Sequence, residues 1–190
     1  MKILWFDTET TGLDPVKNDI IQIAGIIEID GNVKEEFQFW AKPPKDADIQ
    51  DEALKVHGYS KIDIKQWPDP KFMYAGLIGV FGKYIDKFDK YDKFIPAGHN
   101  VKFDIEFLSQ LFKKQKDDYF GSWMIWQPFC TMHAAVINTI LGNIKPDNYK
   151  LITLAEHYKI PLKAHDAMED IRATREIGLK FLQDFKNINW

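Results

Sequence analysis

Apolar positions fall into short unbroken runs early in the chain and into helical stripes later. Ile3-Leu4-Trp5-Phe6 is one such run and predicts a strand over residues 2–6. Asp19 to Ile29 carries Ile20, Ile21, Ile23, Ile26, Ile27 and Ile29, a β-branched density that predicts a second strand. Asp30-Gly31-Asn32 is a turn signal, and Val33 to Trp40 alternates well enough to return as a third strand. These strands form an antiparallel meander, which Pro43-Pro44 ends.

The period then changes. Residues 49–60 predict a short helix closed by Gly58, and Asp69 opens a longer one running to about residue 89. In that longer helix Gly76, Gly79 and Gly82 suit close helix packing, and Phe81, Ile85 and Phe88 form its apolar stripe. Phe94 to Gly98 predicts a short buried strand. Asn100 is a good N-cap for a helix that buries Phe103, Phe107, Leu108 and Leu111. Lys113 to Gln127 is irregular, and Gln127 to Cys130 predicts a fifth strand. Helices follow over 131–140 and 151–158, split by Gly-Asn and Pro-Asp turns. A last helix begins near Asp166, where Asp166 and Glu169 make a capping box. This element order predicts an α/β layer fold with a mixed five-stranded sheet flanked by helices.

Composition narrows the options. The 190 residues, 45% hydrophobic, suit a single domain over 1–190 with a substantial core. One cysteine, Cys130, excludes an internal disulfide and fits a reducing compartment. It also removes support for a cysteine-rich zinc site. No charged segment precedes an apolar one at the N-terminus, so no secretory leader is expected. No apolar run reaches membrane-spanning length, so the expected location is the cytoplasm, with no membrane partner. A net charge of −3 argues against broad duplex binding through many phosphate contacts. It leaves room for a small nucleic-acid site.

The candidate chemistry starts at Phe6-Asp7-Thr8-Glu9-Thr10-Thr11-Gly12-Leu13. Side chains alternate along a strand, so Asp7 and Glu9 point the same way. Two adjacent carboxylates repel, which is tolerated when a cation sits between them or one stays protonated. Two further blocks follow, Gly98-His99-Asn100-Val101-Lys102-Phe103-Asp104 and His165-Asp166-Ala167-Met168-Glu169-Asp170. These blocks, in this order, resemble the three motifs of the DEDDh family of 3′→5′ exonucleases, which includes the proofreading epsilon subunit of bacterial DNA polymerase III. The resemblance covers nearly the whole chain.

The resemblance implies a ribonuclease H-like fold and a two-metal hydrolysis of phosphodiester bonds. Asp7, Glu9, Asp104 and Asp170 would hold two divalent cations, Mg²⁺ or Mn²⁺, hard ions that prefer carboxylate oxygen. With His165 they form the implied catalytic set, the histidine taking a proton from the attacking water. Thr8, Thr10, Thr11, Leu13, Asn100 and Phe103 would meet the terminal nucleotide. Glu52 and His57 would face it from the segment Glu52 to Gly58, although His57 also reads as a cation at a helix C-terminus. His99 reads either as a substrate contact or as structural. Family members commonly carry an aspartate where Cys130 stands, which puts the hydrogen bonding there in doubt.

The implied activity is removal of nucleoside monophosphates from 3′ ends of single-stranded or frayed DNA. Thr10-Thr11 after Glu9 favours DNA over RNA, while a 3′→5′ exoribonuclease of the same family stays open. A non-catalytic nucleic-acid-binding or polymerase-docking module is disfavoured, because all four carboxylates are present. A DNA polymerase is a candidate partner, although the tail Lys186 to Trp190 leaves no room for a long polymerase-binding segment. Lys113, Lys114 and Lys116 beside Tyr119, Phe120, Trp123 and Trp126 read as core aromatics and solvated lysines, or as a single-strand contact. The oligomeric state is open.

Overall fold

The computed structural model describes residues 1–162 and 166–186. Its sheet has the order β3-β2-β1-β4-β5, built from β1 (Lys2–Thr10), β2 (Ile20–Ile29), β3 (Asn32–Trp40), β4 (Ile95–Gly98) and β5 (Phe129–Cys130). The first three strands run antiparallel, while β4 joins β1, and β5 joins β4, in parallel. The expected mixed sheet is therefore present. β1 extends beyond the expected residue 6 because β2 pairs with it along its whole length, from Lys2 opposite Ile29 to Thr10 opposite Ile20. Asp7 and Glu9 thus lie within the strand, near its end.

Strand alternation divides the core. Leu4 and Phe6 of β1, with Ile23 and Ile27 of β2, face α3 (Pro70–Phe81) and α4 (Lys102–Lys114). Ile3 and Trp5, with Ala24 and Ile26, face α7 (Ala167–Lys186). α7 lies so close that a Cβ on Gly178 would stand 2.6 Å from the Trp5 ring. Arg175 on α7 also donates to buried Glu28 on β2 at 2.7 Å, which fixes the helix along the sheet. Behind α7 pack α5 (Thr131–Ile140) and α6 (Leu151–Tyr158).

Several expectations are corrected. The helix expected over 49–60 is α1 (Asp51–His57), ended by Gly58 at φ 77°, followed by a separate α2 (Lys61–Lys65). Ser60 and Asp63 form a reciprocal capping box that starts α2 afresh. α3 stops at Phe81 and does not reach residue 89. The segment beyond is held by side-chain turns, with Asp86 and Asp89 accepting from the backbone of Phe88 and Tyr91. Phe88 therefore leaves the expected stripe and is exposed, while Phe81 and Ile85 stay buried. Of the three glycines, Gly76 meets the packing expectation, because a Cβ there would lie 2.6 Å from Phe39. Gly79 has open space, and Gly82 caps the helix. Asn100 does not cap α4 with its side chain. It takes φ 58° and turns the chain between β4 and the helix. Among the aromatics after the lysines, Phe120 and Trp123 are core, and Tyr119 and Trp126 are exposed.

Candidate active site

The four motif carboxylates meet at the C-terminal end of β1. Asp7 and Glu9 come from the strand face that α7 covers. On α7, Ala167, Asp170, Ile171 and Thr174 follow an i, i+3, i+4, i+7 stripe, all buried. Packing Ala167 and Ile171 against Trp5 therefore carries Asp170 to the strand end. Carboxylate oxygens of Asp7, Glu9 and Asp170 lie within 4.8 Å of one another.

Asp104 arrives from the opposite face by the same device. Asp104, Phe107, Leu108 and Leu111 make the buried stripe of α4, headed by the acid. Its Oδ1 accepts from the backbone N–H of Thr8 at 3.0 Å and from the Thr8 hydroxyl at 2.7 Å. Thr8 points to the α4 side because it alternates with Asp7 and Glu9. Asp104 stands outside the close group of three, but its charge acts on both Asp7 and Glu9.

Burial and mutual repulsion make these acids reluctant anions. Burial, then the charges of Asp104, Glu9 and Asp170, holds the Asp7 carboxyl well above its usual range. Burial, then Asp170 and Asp104, pushes Glu9 up to about 8. Burial likewise raises Asp104 to about 7, against the lowering effect of the Thr8 hydrogen bonds. A convergent set of hard oxygen donors in this condition fits a divalent cation, which would favour the ionised forms.

The other implied residues spread around this cluster. A cleft of about 260 Å³ opens over it. Thr8, Thr10, His99, Asn100 and Phe103 line it, with exposed Leu13 at its lip and His57 on the α1 side. The His57 Nδ1 accepts from the Tyr59 backbone N–H at 3.1 Å, which puts the proton of the neutral ring on Nε2. The Thr10 hydroxyl donates to the Gly12 carbonyl at 2.7 Å and so shapes the loop. Thr11 and Glu52 are not brought to the cleft. Thr11 is fully buried, its hydroxyl accepting from the Asp19 N–H at 3.0 Å, and Glu52 is exposed in the first turn of α1. His99 is held at about 4 by burial, so it is neutral; its ring contacts the Thr131 hydroxyl at 3.0 Å and the Tyr149 backbone. His165 lies outside the described residues. Cys130, in place of an acid, is buried in the core.

Sequence reading missed Ala53 and Val56, which line the cleft beside His57. Their i, i+3, i+4 spacing with His57 was the available signal. A larger depression of about 340 Å³, beside the Asp19–Lys114 ion pair, holds none of the four carboxylates.

The profile of the exonuclease family (RNase_T) matches residues 4–177. The chain belongs to this family. Among curated relatives, the PolC-type DNA polymerase III of Bacillus subtilis (strain 168) is 30% identical over 186 residues, covering 94% of this chain and 11% of that protein. The DNA polymerase III subunit epsilon of Rickettsia prowazekii (strain Madrid E) is 35% identical over 105 residues, 54% of this chain and 41% of that subunit. Among solved structures, E. coli exonuclease I in complex with a dT13 oligonucleotide superposes with a TM-score of 0.77 at 24% identity, over 95% of this chain and 40% of that one. Its zinc-bound complex with single-stranded DNA gives 0.79 at 23%, over 98% and 41%. The chain thus shares the ribonuclease H-like fold expected from its motifs, while it spans well under half the length of each of these proteins. Among the described residues, no helix is long and apolar enough to cross a membrane.

Proposed function

We propose that this chain is a metal-dependent 3′→5′ exonuclease that removes nucleoside monophosphates from single-stranded or frayed DNA. The observation that carries the reading is the carboxylate cluster at the end of β1, three of whose acids converge within 4.8 Å. Asp7, Glu9 and Asp170 would hold divalent cations, Mg²⁺ or Mn²⁺, with Asp104 completing the set. Two such ions, when bound, neutralise charge on the phosphoryl group and on the leaving oxygen.

The chain's own residues do the rest. Thr8 holds Asp104 in place from the strand backbone. Leu13, Val56 and Phe103 give the cleft apolar surfaces for the terminal base, and His57 lines it from the α1 side. His165, five residues before Asp170 in the sequence, accepts the proton of the attacking water in this reading. The relatives in DNA polymerase III support a replicative polymerase as partner, and exonuclease I with its oligonucleotides supports a single strand as substrate. The one cysteine fits a cytoplasmic location.

Matched 5′-labelled DNA and RNA oligonucleotides, incubated with Mg²⁺ and with or without EDTA, test the reading. Chelator-sensitive shortening, faster on DNA, is expected. Faster shortening of RNA would reassign the substrate, and an intact pair of strands would overturn the function.

A further inference from the structure

Three side chains stand in a row across the sheet at the end that carries the acids. Glu9 of β1 is opposite Gln22 of β2, and Gln22 is opposite Trp40 of β3. Directly opposed residues of an antiparallel pair point to the same face, with Cβ atoms roughly 4.5–5.5 Å apart. Gln22 is therefore the immediate neighbour of Glu9 on the face that α7 covers. It is a fully buried amide, while Ala24 and Ile26, the next positions of β2 on that face, are apolar.

Tyr59 decides which way that amide points. Its hydroxyl donates to Gln22 Oε1 at 2.8 Å and accepts from the Trp40 side chain. An indole nitrogen can only donate, so the hydroxyl keeps its own proton for Gln22, and that proton must meet the amide oxygen. The amide nitrogen then faces away from Tyr59 and Trp40, along the row towards Glu9. Nε2 is buried with no hydrogen-bond partner among the described residues, which is costly for a donor. Tyr59 is itself held in place, its backbone N–H on His57 Nδ1 at 3.1 Å and its ring 4.9 Å from that of Trp67.

Asp7, Glu9 and Asp170 each offer one oxygen to the close group, which leaves the second oxygen of Glu9 for a donor from the protein. We propose that Gln22 is a positioning residue for Glu9. Its Nε2–H donates to the Glu9 oxygen that faces β2 when a divalent cation takes the other, and Tyr59 holds the amide in the orientation this needs. The hydrogen bonds then run in one sense, from Trp40 to Tyr59 to Gln22 to Glu9, and such chains strengthen one another in a low-dielectric interior. A carboxylate fixed from behind in this way holds its ion more tightly. This inference rests on the nuclease reading above, through the metal ions.

Calorimetric titration with Mn²⁺ tests this without turnover. Gln22→Met keeps the length of the side chain and removes the donor, so Mn²⁺ should bind roughly 10–100-fold more weakly. Tyr59→Phe frees the amide to turn and should weaken Mn²⁺ binding in the same direction, by less. In the double variant the loss should equal that of Gln22→Met alone, because both changes act through one amide. A glutamine that only fills space, or a tyrosine that only braces α1, would leave Mn²⁺ affinity where it is. Unchanged affinity in either single variant, or losses that add in the double variant, would overturn the proposal. Should Gln22→Met not fold, Tyr59→Phe, at a half-buried site, decides alone by the same criterion. A wild-type protein that binds no Mn²⁺ would instead overturn the nuclease reading itself.

Discussion

Thr8 grips Asp104 twice, with its backbone N–H at 3.0 Å and its hydroxyl at 2.7 Å. The residue lies between the two strand acids in sequence and faces the opposite helix, so it joins β1 to α4 at the point where the site forms. Both bonds favour the ionised carboxyl, and with them in place burial still raises Asp104 to about 7.

Thr8→Val keeps the shape and removes the hydroxyl. Asp104 should then hold its proton more tightly, and divalent cations must displace it. The Mg²⁺ concentration for half-maximal rate should rise at pH 7, and the rise should shrink at pH 8.5. Stability should fall by about 1–3 kcal/mol, the cost of a buried acceptor short of a donor. Wild-type Mg²⁺ dependence at both pH values would show that the hydroxyl plays no part.

Protonation sets the stability of the metal-free protein. Glu9 is raised from 4.5 to about 8, and Asp104 from 3.8 to about 7. The folded state therefore binds more protons than the unfolded state between these values, and stability falls as pH rises through that window. In EDTA, Tm should be higher at pH 5.5 than at pH 8. Mg²⁺ should restore Tm at pH 8, and Glu9→Gln should raise it there without metal. A Tm in EDTA that climbs from pH 5.5 to 8 would contradict the raised carboxyls.

Asp7→Asn and Asp170→Asn should each cut turnover by orders of magnitude, because each removes a charge from the close group of three. Both should stay folded, since relief of like-charge repulsion offsets the change. Calorimetric Mn²⁺ titration should show weakened binding in each. Near-normal turnover in either variant would remove that residue from the site.

His165→Ala should lower kcat by roughly 10²–10⁴-fold, the usual worth of a positioned base. At saturating Mg²⁺ the wild-type rate should rise with pH along a single histidine-like limb and level off. That limb should vanish in the variant. Asp166→Ala is the control. Asp166 caps α7, accepting from Met168 N–H at 3.0 Å and Glu169 N–H at 3.2 Å, so its loss should cost about 1 kcal/mol and leave the pH limb in place. A His165→Ala variant with wild-type rate and limb would make the histidine a bystander.

The site was legible where local pattern and chemistry coincided. Asp104 sits on a buried stripe that is otherwise apolar, and Asp170 on one shared with Ala167, Ile171 and Thr174, so an acid is conspicuous at either place in the sequence. Asp7 and Glu9 share a face by simple alternation. What escaped depended on distant partners or on ambiguous residue types. Asn suits both an N-cap and a positive φ, so Asn100 could not announce which it takes. The helix expected to run on to about residue 89 ends at Phe81, because the aspartates beyond it close turns and Lys2, from the far end of the chain, binds the Tyr84 carbonyl and Asp92. Glu169 was expected to complete a capping box. Only the Asp166 half is seen, and Glu169 pairs with Arg172. Thr11 matched the motif, but its hydroxyl is engaged by Asp19, a partner eight residues on.

Polarity and metal dependence together form the central claim, and one early-time measurement tests both. A single strand of DNA is labelled at either its 3′ or its 5′ terminal nucleotide and incubated with Mg²⁺, then quenched after a few per cent of turnover. The 3′ label should appear at once as mononucleotide, the 5′ label should remain in strands shortened one nucleotide at a time, and EDTA should stop both. Release of the 5′ label first, a single internal cut, or cleavage that persists in EDTA would contradict the account.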